Sequence, residues 1–326
     1  MVNATLPLAP GASGEAVRDL QRRLSVAGHD CGADPAGRYD VATEAAVRTF
    51  QERRGLRTDG ICGEQTWSSL VEASWHLGDR MLYLRDPMLR GDDVADLQRA
   101  LGALGFDAGR VDGIHGPRTA GAVLEFQRNM GLTNDGICGP ATVDTLRRVA
   151  SRDETGAIVA LLREAEALRT APPRLAGRRV AVAESGGLGA LVDALGRALS
   201  EVGAIVDVVH HPDDREQAAA ANGFAAELFV AVGLREDPGV AASYFATDGF
   251  ESVGGRSLAE CILAALAEHL PHADSAPRGM RLPVLRETRM PAVVVELGPP
   301  AAVVAGTAAL VGDLTRAIEL WAGAAG

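Results

Sequence analysis

Lysine is absent from this chain. All 32 basic residues are arginine, and 43 acidic residues outnumber them, for a formal net charge of -11. Such a surface repels phosphate backbones, so nucleic acid is not an expected partner. No cluster of basic residues marks a membrane-binding face either. Aromatic residues are scarce, at 4%. No apolar run reaches the ~18 residues that a transmembrane helix needs. The first residues, MVNATLPLAPGASG, carry neither a basic segment nor an apolar stretch, so no secretory signal is expected. The four cysteines, Cys31, Cys62, Cys138 and Cys261, form no Cys-x-x-Cys pair. Metal or redox chemistry at them is therefore not indicated, and they are expected as small buried side chains. What is present is 47% hydrophobic residues in 326, enough for more than one core.

The first half contains a duplication. Val17, Leu20, Gln21 and Leu24 recur as Val94, Leu97, Gln98 and Leu101. Phe50-Gln51 recurs as Phe126-Gln127, and Asp59-Gly-Ile-Cys-Gly63 recurs unchanged as Asp135-Gly-Ile-Cys-Gly139. Two copies are too few for a solenoid, so this reads as a doubled small module. The apolar spacing predicts three short helices per copy, with Gly28 and Gly105 as stops and Pro117 at a helix entry. Gln21 and Gln98 are either ligand contacts or buried polar caps. Residues 150–176, with Ile158, Leu161, Leu162, Ala165 and Leu168 at helical spacing before Pro172-Pro173, read as a helical linker.

From Arg178 the pattern alternates. Strands are expected at 180–183, 205–209, 228–232 and 293–295. Helices are expected at 188–202, 215–222, 258–269 and 301–321. This alternation predicts an α/β domain with a mainly parallel sheet. The fold class is thus two all-α three-helix modules followed by an α/β domain.

The repeats resemble the peptidoglycan-binding type 1 domain, over residues 11–72 and 88–149. The second copy carries the fuller pattern, Val111-Asp112-Gly113-Ile-His-Gly116-Pro117. Copy one has Pro35-Ala36-Gly37 there, without the aspartate. The resemblance implies muropeptide binding, with Asp112, Gly113, Gly116, Asp135, Gly136 and Gly139 as candidate contacts. The surface between the 113–117 loop and the 131–139 turn is the expected contact area.

Residues 177–323, above all Leu285-Arg-Glu-Thr288 through Val293-Val-Val-Glu296, resemble the amidase 3 type of N-acetylmuramoyl-L-alanine amidase. That family holds zinc with two histidines and a glutamate, and uses a second glutamate as general base. On this scheme Glu296 is the retained catalytic glutamate. Ser185 and Gly233 stand where the histidines would be. Glu184 is a possible remnant of the ligand glutamate, in an alternative alignment of the same shortened segment. His210-His211, His269, His272, His29 and His115 are read as surface or loop histidines. No metal or other cofactor is expected; zinc belongs only to the alternative of a working amidase.

Repeats and amidase-like domain together resemble the actinobacterial CwlM-type family. That resemblance implies a cytoplasmic, non-hydrolytic regulator of peptidoglycan precursor synthesis. Its implied partners are a peptidoglycan precursor or muropeptide, and the UDP-N-acetylglucosamine enolpyruvyl transferase or the lipid II flippase. A passive muropeptide sensor is a further alternative.

Overall fold

A computed structural model describes residues 6–150, 158–267 and 273–324. The chain divides near Ala160 into two compact units. The first holds the duplication. Copy one is α1 (Glu15–Val26), α2 (Val41–Arg53) and α3 (Glu64–Ala73); copy two is α4 (Asp92–Ala103), α5 (Pro117–Asn129) and α6 (Pro140–Ala150). Val17, Leu20 and Leu24 form the buried stripe of α1, and Val94, Leu97 and Leu101 that of α4, as their spacing predicts. Each copy closes its own core, around Phe50 and Tyr39 in one and Phe126 in the other.

Helices this short need more than propensity to hold them. Four glutamines supply it. The amide nitrogen of Gln98 lies 2.8, 3.1 and 3.2 Å from Asp112 Oδ1, the Ile114 carbonyl and Thr119 Oγ1. Its oxygen accepts from the backbone N–H of Gly113 at 2.9 Å. Gln127 repeats the pattern on Asp135, Ile137, Thr142 and Gly136. Gln51 repeats it on Asp59, Ile61, Thr66 and Gly60. Gln21 makes the version left where the aspartate is missing, on Arg38, Thr43 and Gly37. Copy one's Asp34 instead accepts from the N–H groups of Thr43, Asp40 and Ala42, at the entry of α2. Each glutamine thus ties a helix to the turn that follows and to the next helix. Gly60, Gly113 and Gly136 sit in these turns at φ near +70°, which favours glycine.

The second unit takes in most of α7 (Ile158–Arg169). Its remaining elements are β1 (Arg179–Glu184), α8 (Gly189–Glu201), β2 (Ile205–His210), α9 (Asp214–Gly223), β3 (Leu228–Leu234), β4 (Gly239–Thr247), β5 (Phe250–Glu251), α10 (Val253–Leu266), β6 (Arg278–Met280), α11 (Pro283–Glu287), β7 (Ala292–Gly298), α12 (Pro300–Ala305) and α13 (Thr307–Ala324). The segment read as a linker helix, α7, is seated on this unit. Glu164 accepts from Ser252 Oγ at 2.5 Å and from the Val253 N–H at 3.3 Å, at the start of α10, and Leu168 packs on the core.

The sheet order is β2-β1-β3-β7-β4-β5, with β6 beside β4. The four expected strands, β2, β1, β3 and β7, pair parallel and form one half of it. β4 had no sequence expectation and runs antiparallel to β7. Its run Gly239–Tyr244 is small and apolar and lies within a segment read only as a connection. The expected helix 301–321 is broken at Gly306 into α12 and α13. α8, α10 and α13 cover one face of the sheet, where Trp321 donates to the Gly254 carbonyl. α9 and α11 lie on the other, joined by Asn222, which bonds the Glu287 carbonyl and the Arg289 N–H. Right-handed crossovers on either side of β1 require this two-sided cover. The parallel order reverses between β1 and β3, which is where an open α/β sheet leaves a crevice.

Gln98 is buried, and an apolar residue there would strand the Gly113 N–H and the Ile114 carbonyl. Gln98→Leu is expected to lower stability by about 2–4 kcal/mol, read by urea denaturation. A change below ~1 kcal/mol would contradict this role.

Candidate functional site

At the carboxyl ends of the parallel strands, Gly233 of β3 is in register with Glu296 of β7, and Glu296 with Ala241 of β4. Ser185 follows the last residue of β1. Its hydroxyl accepts from Gln217 Nε2 of α9 at 3.1 Å, and the same amide nitrogen reaches the His211 carbonyl at 2.7 Å. A Cβ placed on Gly233 would stand 3.9 Å from Glu296 Cγ, so β3 offers no side chain and no crowding there.

Glu184 is in register one row earlier, with Val232, and Val232 with Val295. Side chains alternate along a strand, so Glu184 and Glu296 fall on opposite faces of the sheet. The contacts agree. Ser185 is held from α9, whereas Glu184 turns to β2 and α8. The Glu184 carboxylate accepts from the N–H groups of Gly186 at 2.7 Å and Leu188 at 3.1 Å, and meets His210 Nδ1 at 3.0 Å. The other nitrogen, His210 Nε2, is 3.1 Å from Asp193 Oδ1. An imidazole between two carboxylates donates to both only when protonated.

The Glu184 and Asp193 hydrogen bonds accordingly hold the His210 pKa above its ordinary 6.5. Burial pushes the Glu184 carboxyl up, but His210 and the two backbone N–H groups outweigh it and leave it below 4.5. His210 was read as a surface histidine, and it is exposed at the end of β2. It is also the middle of a bridge at the first β–α turn, brought there because β1 and β2 pair Glu184 with His210. Sequence spacing of 26 residues gave no signal of this.

Two histidines of the repeats are buried rather than on the surface. His115 is completely buried, and neither ring nitrogen has a hydrogen-bond partner among the described residues. Burial pushes its pKa down. His29 is buried edge-on to Phe50, with ring centroids 5.5 Å apart. His29 packs on the aromatic centre of copy one, whereas His115 is held beside the Leu89 segment, its backbone N–H donating to the Leu89 carbonyl at 2.9 Å. His211 accepts from the Asp213 N–H in a turn. His269 and His272 lie outside the described residues.

Among the described residues no three His, Cys, Asp or Glu side chains converge as a ligand group for a metal ion. The positions that the family resemblance gives to zinc ligands present a hydroxyl engaged by Gln217 and a glycine. Glu184 points to the other face with its charge already paired. This donor set does not fit a zinc ion, which needs three strong ligands.

In the repeats, the candidate contacts are placed by the glutamines. Asp112 Oδ1 accepts from Ile114 N–H at 2.8 Å, and Asp135 Oδ1 from Ile137 N–H at 2.9 Å. The Ile137 N–H and the Gln127 amide hold the Asp135 carboxyl below its usual range. Gly113 is buried; Gly116, Gly136 and Gly139 are partly exposed. The surface expected between the two turns is spanned by a strap. Leu82 bridges to Cys138 and Arg90 to Ile114, and Tyr83, Leu84 and Met88 are exposed along it. Asp112 and Asp135 thus serve the turns first.

Comparison with known proteins places these units in a class. The family described as "Putative peptidoglycan binding domain" matches residues 13–70 and 90–146. Across most of the chain, similarity runs to N-acetylmuramoyl-L-alanine amidase CwlM of Mycobacterium tuberculosis, 36% identical over 291 residues, covering 80% of this chain and 71% of that protein. N-acetylmuramoyl-L-alanine amidase CwlL of Bacillus licheniformis is 36% identical over 163 residues, covering 43% of this chain and 45% of its own length. The solved amidase Ami1 of Mycobacterium smegmatis aligns with 15% identity and a TM-score of 0.39, over 46% of this chain and 99% of that one. The class is that of peptidoglycan-binding repeats joined to an amidase-like α/β domain. Within it, the chain belongs to the CwlM family.

The His210 bridge sets a pH window. A raised histidine pKa stabilises the fold below about 6.5, and this is lost as pH rises through the raised value. A lowered glutamate pKa stabilises above 4.5, and this is lost as pH falls through the lowered value. His210→Gln is expected to lower the melting temperature by about 1–3 °C near pH ~6 and to leave it unchanged near pH ~9. Thermal unfolding at the two pH values checks this.

Proposed function

We propose that this protein is a non-hydrolytic member of the CwlM family, a cytoplasmic regulator or scaffold of peptidoglycan precursor synthesis that binds muropeptide-like ligands. One observation carries the reading: at the positions that the family resemblance gives to imidazoles, Ser185 has its hydroxyl tied to Gln217 and Gly233 has no side chain. Without zinc, water at that crevice is a poor nucleophile at neutral pH, and Glu296 has no activated water to take a proton from. Glu296 is then a retained carboxylate without its chemistry.

The repeats supply the ligand-binding half of the function, with Asp112, Gly113, Gly116, Asp135, Gly136 and Gly139 as candidate contacts. The α/β unit supplies a protein-binding surface. Its partners on this reading are the UDP-N-acetylglucosamine enolpyruvyl transferase or the lipid II flippase, as the family resemblance implies. Four free thiols, three of them buried, suit a reducing compartment. No described helix is long and apolar enough to cross a membrane.

The relatives' names favour a second reading, a zinc-dependent N-acetylmuramoyl-L-alanine amidase. Metal analysis separates the two. The full chain, purified and reconstituted with zinc, is expected to hold far less than one equivalent and to release no stem peptide from purified sacculi. Near-stoichiometric zinc with peptide release would establish the amidase instead.

A further inference from the structure

Copy one carries a groove between α1 and α3, with a cavity of about 210 Å³. Leu70 is buried beneath it, and Ala27, Ala73 and Val26 line it, Val26 being 68% exposed. Two guanidiniums, Arg22 and Arg23, line it. Both pair with one carboxylate, Asp19: Arg23 Nε at 3.1 Å, and Arg22 through Nη2. Burial pushes the Asp19 carboxyl up, but the two arginines outweigh it and keep it ionised. Two guanidiniums thus face the groove, with one carboxylate shared between them. The Arg23 guanidinium also lies over the Trp67 ring, 5.3 Å from its centroid. That stacking fixes a fork whose terminal nitrogens are not used by Asp19.

The duplication supplies an internal control. At the matching places copy two has Arg99 for Arg22, Ala100 for Arg23, Ala103 for Val26 and Val143 for Trp67. The remaining arginine of α4 pairs with its own Asp96 at 2.8 Å, and α4 has no second arginine beside it. Val143 lies under Gly78, and Arg147 beside it donates to the Leu77 carbonyl at 2.5 Å. The cores of the two copies match; these groove residues do not.

We propose that the α1–α3 groove of copy one is a binding site for a short peptide segment bearing a free carboxylate and small apolar side chains, a site that copy two has lost. A planar fork that is stacked in place suits bidentate capture of a carboxylate. The groove's apolar residues receive aliphatic side chains. The cavity is below the ~300–1,000 Å³ of a site that encloses a drug-sized molecule, so it receives the end of a chain. The proposal rests on the muropeptide-binding reading and adds to the candidate contacts of copy two a separate seat, in copy one, for the carboxylate end of the stem peptide.

The test uses the full chain and isothermal titration with a soluble muramoyl pentapeptide. Arg22→Gln and Arg23→Gln are expected to weaken binding by ~10-fold or more, while Arg99→Gln leaves it unchanged. Arg22 is largely exposed, so its variant folds normally and keeps the test valid if Arg23→Gln disturbs Trp67. The same peptide with its carboxylates amidated is expected to bind the unaltered chain as weakly as the acid binds the variants. UDP-N-acetylglucosamine, an anion without a peptide, is expected not to compete. Equal affinity in all variants would overturn this site while leaving muropeptide binding intact elsewhere. Competition by the nucleotide sugar would replace the carboxylate by a phosphate. An unaltered chain that binds no muramoyl peptide would overturn the site and the reading together.

Discussion

A primary amide on a helix, satisfied on both ends by the turn that follows, is the interaction on which the first unit depends. A glutamine side chain has donors and an acceptor fixed in one plane, so it can tie a turn's carbonyl and N–H groups at once. Placed four times, at Gln21, Gln51, Gln98 and Gln127, it converts helices of ten to thirteen residues into two closed modules. The conserved look of the Asp-Gly-Ile turns between the copies follows from this. The aspartate receives the glutamine and caps the next N–H; the glycine supplies the positive φ. Where the aspartate is replaced, as at Ala36, the glutamine still binds the turn, through the Arg38 carbonyl. Outside this net the copies are free to diverge, and they do so at the α1–α3 face.

In the second unit the governing constraint is strand alternation. One residue's difference in register sends Glu184 toward α8 and Glu296 toward the opposite layer. The two carboxylates therefore do not share a site, although both lie at the carboxyl ends of parallel strands, on either side of β3. Glu184 is held by an imidazole and two backbone N–H groups at the first β–α turn. The crevice keeps the position that α/β sheets offer a ligand, while its walls carry a different chemistry.

Much of this architecture was legible in the chain. The duplication, the three helices per copy and the parallel strands β1, β2, β3 and β7 each follow from periodicity of apolar residues. β4 was not legible, because its alanines and glycine at 239–242 carry little strand propensity and gain their place only by pairing with β7. Nor was the inward path of His115, since a lone histidine in a polar loop has no pattern to place it. The residues of the crevice were identified by resemblance to a family. The bridge through His210 joins residues brought together only by the sheet, and no local spacing encodes that. The spacing of Gln98 fits a ligand contact and a buried cap equally; its five hydrogen bonds, to Asp112, Gly113, Ile114 and Thr119, make it a buried cap.

The strap that bridges Leu82 to Cys138 has its counterpart in Leu8 and Cys62. In each copy the thiol beneath is fully enclosed, and burial pushes its pKa up to about 12. A thiol so placed is both unreachable and un-ionised, hence inert to electrophiles and oxidants while its strap is seated. It becomes an ordinary reactive cysteine once the strap lifts. Cys62 and Cys138 thereby form a matched pair of chemical reporters of strap opening, at equivalent places in the two modules.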